Sequence, residues 1–194
     1  MLPQIAGVLQ TGAAPTPRAQ QMLDLVLGWA VRGSSRIDRD LDGRIDDPGA
    51  AIMDAVWPKA AVAALAPVLG PLTDRLAQLM EIDDAPGPGG SAYIDGWYGY
   101  VDKDLRSLLG RPVAAPFRTK FCGGGDLAAC RAALWAAVEQ AGADLAAAQG
   151  PDPAAWRADA TKERIRFAPG ILTDSMRWAN RPTFQQVLTF TGHR

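Results

Sequence analysis

The stretch "RIDRDLDGRIDDPG", residues Arg36 to Gly49, carries the densest set of hard oxygen donors in the chain. With Asp38 at the first position of a calcium loop, Asp40 falls at the third and Asp42 at the fifth. Gly43 then stands at the sharp turn, the Arg44 carbonyl at the seventh position and Asp46 at the ninth. This is the single-turn, oxygen-rich arrangement that calcium favours. The pattern breaks at the twelfth position, where a bidentate glutamate is replaced by Gly49. Asp47 or Asp54 can complete the shell from the following helix, although Asp47 is also the natural cap before Pro48. The competing reading is a solvated turn with one aspartate capping a helix whose positive end favours negative charge. In that case Asp38, Asp40, Asp42 and Asp46 repel one another, with only Arg36, Arg39 and Arg44 nearby to offset them. The expectation is a structural calcium site on Asp38, Asp40, Asp42, Arg44 and Asp46, weak because the twelfth ligand is missing.

No catalytic constellation accompanies it. The one histidine, His193, stands next to the end of the sequence, where fraying is the default. Ser34, Ser35, Ser91, Ser107 and Ser175 occupy no nucleophile-elbow context. The carboxylate pairs Asp83 with Asp84 and Asp102 with Asp104 read as surface or cap residues rather than an acid and base couple. "GPGG" and "CGGG" lack the Lys-Ser/Thr and strand-to-helix frame of a phosphate loop. The cysteines, Cys122 and Cys130, lie in "CGGGDLAAC" without paired C-x-x-C knuckles or a histidine to complete a zinc site. Two readings stay open for them: buried free thiols, or a bridge that the glycines give the backbone freedom to close.

The elements that must position these residues are mostly helical. Thr16-Pro17 opens a helix through "PRAQQMLDLVLGWAV", with Met22, Val26 and Trp29 at helical spacing and Gly33 ending it. Asp47-Pro48 repeats the device before "GAAIMDAVW". Pro58, Pro67 and Pro71 are expected to cut or kink the alanine-rich run that follows, and "PLTDRLAQLM" is a further amphipathic helix. Residues 83–90 read as a flexible loop. Tyr93, Trp97, Tyr98 and Tyr100 crowd ahead of a helix expected from about Asp102. These aromatics suit core packing more than an acyl pocket. The longest helix is "LAACRAALWAAVEQAGADLAAAQG", and "PDPAAW" repeats the proline opening. The tail changes period, and "RIRFAP" and "TFQQVLTF" (183–190) read as strands. That terminal strand pairs either with "RIRFAP" or with a sheet in another part of a larger protein.

Composition excludes several classes. The 194 residues are 48% hydrophobic and 21% charged, an ordinary globular balance. With 20 Lys and Arg interleaved with 21 Asp and Glu and a net charge of −1, there is no basic face for nucleic acid. No uninterrupted apolar run approaches the length of a membrane span. The opening "MLPQIAGVLQTGAAPTP" lacks the basic and apolar regions of a signal peptide, and the abrupt entry points to a piece of something longer.

Four segments carry a family resemblance: "RDLDGRIDDPGAAIMDAVWP", "GWYGYVDKDLRSLLG", "FCGGGDLAACRAALW" and "MRWANRPTFQQVLTF". Together, and in this order from about Ala19 to Phe190, they resemble the C-terminal part of the β-chain of penicillin acylase family proteins, which are N-terminal nucleophile hydrolases. "NRPTFQQV" is the most distinctive piece. The resemblance implies a mainly α (α+β) fold: helical segments with a C-terminal strand or hairpin, forming one portion (1–194) of a larger αββα fold. It implies an amide hydrolase whose nucleophile is a serine at the start of the mature β-chain. That serine and its oxyanion hole precede the matching region, so no catalytic residue carries over and this chain by itself is expected to be inactive. The implied partner is the remainder of the parent acylase, its α-chain and the N-terminal part of the β-chain. Arg177 and Trp178 would face that remainder, and Asn180, Arg181 and Pro182 would set the turn into the last strand.

Because the family is secreted or periplasmic, the resemblance also decides between the cysteine readings, implying a Cys122–Cys130 disulfide. For so short a loop, chain entropy predicts a stabilisation of about 2 to 3 kcal/mol. Penicillins and acyl-homoserine lactones are substrates within the family. The alternative function is a free-standing helical binding or scaffold module derived from it, without catalysis.

Overall fold

The structure is a computed structural model that describes residues 2–80, 82, 96–160, 164–166 and 175–177. Six α-helices account for most of these: α1 (Leu2–Leu9), α2 (Pro17–Val31), α3 (Pro48–Leu69), α4 (Leu72–Leu79), α5 (Tyr98–Leu108) and α6 (Leu127–Gln149). Short 3-10 turns at Cys122–Gly125 and Pro153–Ala155 lead into and follow α6.

The helix starts follow from the capping residues. Thr16 is extended, accepts the Ala19 N–H at 3.2 Å, and is followed by Pro17, whose missing N–H costs nothing there. Its hydroxyl also donates to Glu139 Oε1 at 2.5 Å, fastening the start of α2 to α6. Asp47 accepts the Gly49 N–H at 3.0 Å and starts α3 in the same way. Asp126 accepts the Ala129 N–H at 2.7 Å at the head of α6.

The prolines do not cut α3. The helix runs through Pro58 and Pro67 and stops only at Gly70, where φ is 53°, with Pro71 next. An interior proline costs about 3 kcal/mol in isolation. Here α3 buries Ala50, Ile52, Val56, Trp57, Ala60, Ala61, Ala64 and Leu65 against α2 and α6, and that packing outweighs the lost hydrogen bonds. By length and mean apolarity α3 would also suit a membrane crossing, despite Asp54 and Lys59. In this fold it is the central helix of the core. The aromatic helix likewise begins at Tyr98, four residues ahead of the expected start at Asp102.

One continuous core joins α1, α2, α3, α5 and α6, with Trp97, Trp156, Leu9, Met22, Ile45 and Leu134 among its fully enclosed side chains. The small residues along α3 and α6 let those two helices approach closely. At Gly142, Met22 Sδ would lie 2.7 Å from an added methyl. Ile82 marks one side of the undescribed 83–95 segment, and its carbonyl accepts both the Trp57 indole N–H and the Trp97 main-chain N–H at 3.0 Å.

The expected fold class does not hold. The described residues form a helical body, and no αββα sheet layer is present among them. Their strand pairing is limited to a three-residue antiparallel ribbon, β1 (Arg164–Arg166) with β2 (Ser175–Arg177), and a single bridge between Arg44 and Asp159. The physical reason is that the apolar faces of α1, α2, α3, α5 and α6 pack on one another in a single core, so no sheet is needed to cover them. Residues 83–90, expected as a loop, and 183–190, expected as the terminal strand, lie outside the described residues. Trp178, Asn180, Arg181, Pro182 and His193 lie there too.

Candidate functional site

The acidic stretch forms a closed turn against the core. Ile45 is fully buried and donates its N–H to the Ala158 carbonyl at 2.9 Å, while Ala160 donates to the Gly43 carbonyl at 2.8 Å. These bonds flank the Arg44–Asp159 bridge and fix the Arg44 main chain. Asp46 donates its N–H to the Ile37 carbonyl at 2.9 Å, closing the base of the turn. Inside it, the two oxygens of Asp38 accept the Asp42 and Gly43 N–H groups at 3.1 and 3.0 Å. Asp42 accepts the Arg44 N–H at 2.8 Å. Gly43, at φ 87°, makes the turn that a side chain would resist.

Of the five expected calcium ligands, the fold brings three carboxylates together. Oxygens of Asp38, Asp40 and Asp42 lie within 4.8 Å of one another. Asp46 turns away to Arg39, pairing with its guanidinium and accepting its main-chain N–H at 3.1 Å. That N–H is the main reason the Asp46 carboxyl is held below its ordinary value, with the Arg39 side chain adding to it. The two aspartates considered as completing ligands are also engaged. Asp47 caps α3 and pairs with Arg32 at 2.6 Å. Asp54 receives both terminal nitrogens of Arg36 at 2.8 Å. The arginines therefore neutralise the flanks of the stretch and leave the acidity concentrated on Asp38, Asp40 and Asp42. Three carboxylates suit a hard cation, but they are fewer than the six to eight oxygens calcium takes, so water would supply the rest.

Beside this loop lies an open cleft of about 210 Å³ floored by Trp29 and rimmed by Arg32, Arg39, Asp46 and Asp47. Its charges pair with each other across the rim, Arg32 with Asp47 and Arg39 with Asp46. The Trp29 indole N–H is taken by the Ser35 carbonyl at 2.8 Å. Ser35 also lines the cleft, and the two carboxylates there are each paired with an arginine.

Cys122 and Cys130 are joined in a disulfide with Cα atoms 4.9 Å apart, and both residues are fully buried. Gly123, Gly124 and Gly125 between them have φ of 60°, 61° and 94°, all in the left-handed region. The aromatic cluster resolves into packing. Trp97 is enclosed, Tyr98 stacks on Trp57 with ring centroids 4.3 Å apart, and Tyr100 is exposed. Tyr93 lies outside the described residues. Asp102 pairs with Arg106 at 2.8 Å, as a surface residue should.

Asp104 departs from the surface reading. It is 1% exposed, and its two oxygens accept the N–H groups of Phe121 and Cys122, each at 2.8 Å. The sequence held a signal for this: Asp104 sits three residues after Val101 and one before Leu105, on the stripe that α5 buries.

No protein-family model matches this sequence, and curated proteins give no match to it either. What fold and sites define is a class by architecture: a helical body carrying an acidic loop and a disulfide-closed glycine loop.

Proposed function

We propose that this chain is the C-terminal structural portion of a penicillin acylase-like amidohydrolase. In this reading the cleavage of a linear amide belongs to an N-terminal serine in the remainder of the parent enzyme. One observation carries the structural role. Asp38, Asp47, Asp104 and Asp126 each accept main-chain N–H groups and the cysteines are bonded to each other, so these side chains are engaged in holding main chain. A buried disulfide supports an oxidising compartment, secreted or periplasmic.

The acidic loop in this reading takes calcium, with Asp38, Asp40 and Asp42 as the carboxylate donors and the Arg44 carbonyl as the expected main-chain donor. Asp46 joins only by releasing Arg39. The expected affinity is weak, with Kd on the order of 10⁻⁴ to 10⁻³ M as in extracellular modules. Melting in millimolar calcium, with magnesium as control, tests it. An unchanged Tm overturns the calcium assignment.

The continuous core built from the chain's own helices favours the second reading, a free-standing binding or scaffold module. The upstream coding sequence and an amidase assay separate the two. An in-frame serine after a processed spacer, with turnover only when both parts are present, supports the acylase portion. A frame without that serine supports the module. Amide turnover by this chain alone would overturn both.

A further inference from the structure

The disulfide loop and Asp104 are joined by more than proximity. The carboxylate is buried, and it accepts two main-chain N–H groups of the loop, one of them on Cys122 itself. The loop in turn lies hard against α6. A methyl at Gly123 would stand 2.5 Å from the Cys130 nitrogen, so the glycine backbone is seated on the very turn that bears the second cysteine. Asp126 closes the other side, its carbonyl accepting the Cys130 N–H at 3.0 Å.

We infer that Asp104 is the template of the Cys122–Cys130 bond: the buried carboxylate folds the glycine loop into the one conformation that presents the two sulfurs to each other. Three successive glycines form the least restricted backbone a chain can have. In the dithiol form, "CGGGD" therefore samples many conformations in which the sulfurs are apart. Two main-chain N–H hydrogen bonds accepted by Asp104 select the bonded one. The coupling is reciprocal, as linkage requires: the bond holds the Phe121 and Cys122 N–H groups on the carboxylate as strongly as the carboxylate holds the thiols together. Both sulfurs are buried, so small thiols and disulfides reach them only when the loop opens, and Asp104 resists that opening.

The step is ordinary thiol–disulfide exchange. The two thiols give up two electrons and two protons, and oxidised glutathione accepts them and leaves as two glutathione thiols. The test equilibrates the full chain and its Asp104→Asn variant in glutathione redox buffers without oxygen, with acid quenching and mass measurement of alkylated thiols. Asparagine keeps the shape but turns an N–H2 group toward one of the two donors. The oxidation equilibrium constant should fall about tenfold or more. A constant within about twofold of the parent's, in a variant with unchanged helical circular dichroism, overturns the inference. A second measurement needs no variant and stands if D104N fails to fold. Reduction of the unaltered chain should speed amide exchange at Phe121 and Cys122 by a similar factor relative to Leu134 in mid-α6. Unchanged exchange at those amides, or an equal loss everywhere, would likewise overturn it.

Discussion

Leu41 shows at the scale of one residue what the acidic turn demands. It has φ of 61° with its side chain largely in solvent, so the left-handed backbone is not offset by burial. A left-handed L-residue costs about 1 to 2 kcal/mol, and asparagine tolerates the region best among residues with a side chain. Leu41→Asn should stabilise the protein by about 0.5 to 1 kcal/mol in urea denaturation; a loss of stability would mean the leucine makes a contact that its exposure hides. Asp46 gives a second expectation. Its carboxyl is depressed in the fold from 3.8, chiefly by the Arg39 N–H. A depressed folded value means the contribution is complete above the unfolded value of 3.8 and fades as pH falls through the folded one. Asp46→Asn should therefore flatten that part of the acid limb of a stability–pH curve, lowering the neutral-pH stability slightly and leaving the strongly acid end unchanged. An acid limb of identical shape would show the Arg39 pairing to be inconsequential.

Among the elements, α3 and α5 offer opposite glycine experiments. Gly49, in the first turn of α3, faces Trp29 so closely that an added methyl would overlap the indole's Cβ. Gly49→Ala should cost about 1 to 3 kcal/mol as overpacking of a fixed helix crossing. Gly99 lies in α5 with nothing within 4 Å of an added Cβ. Gly99→Ala should gain about 0.4 to 1 kcal/mol, because alanine has less freedom to lose on folding. Urea midpoints of the two variants check both signs together. If both rose, helix propensity rather than the α2–α3 contact would govern both sites. The same contrast explains why Pro58 and Pro67 do not end α3. The proline rule describes an isolated helix, whereas α3 is held on two sides by α2 and α6.

At the scale of the whole molecule, the disulfide loop is where α3, α5 and α6 meet. Replacing both cysteines by alanine should lower stability by about 2 to 3 kcal/mol on the loop-entropy account. The size of the loss separates two pictures. A drop well beyond that range would mean the loop organises the three-helix junction, and a drop near it that the bond only shortens the unfolded chain. Thermal and urea unfolding of the full chain distinguish these outcomes.

The sequence by itself determined the parts whose physics is local. Thr16-Pro17 and Asp47-Pro48 announce their helices because a capping oxygen and a free N–H lie within three residues of each other. The acidic turn was equally legible, since its aspartates and Gly43 act within one loop. Only the tertiary structure decided what depends on partners far along the chain. It carried α3 past two prolines. It replaced the expected sheet layers with helix-on-helix packing, and it buried Asp104 beneath a loop 17 residues away. Each of these is a competition between a local preference and burial, and burial is settled by which surfaces meet in three dimensions.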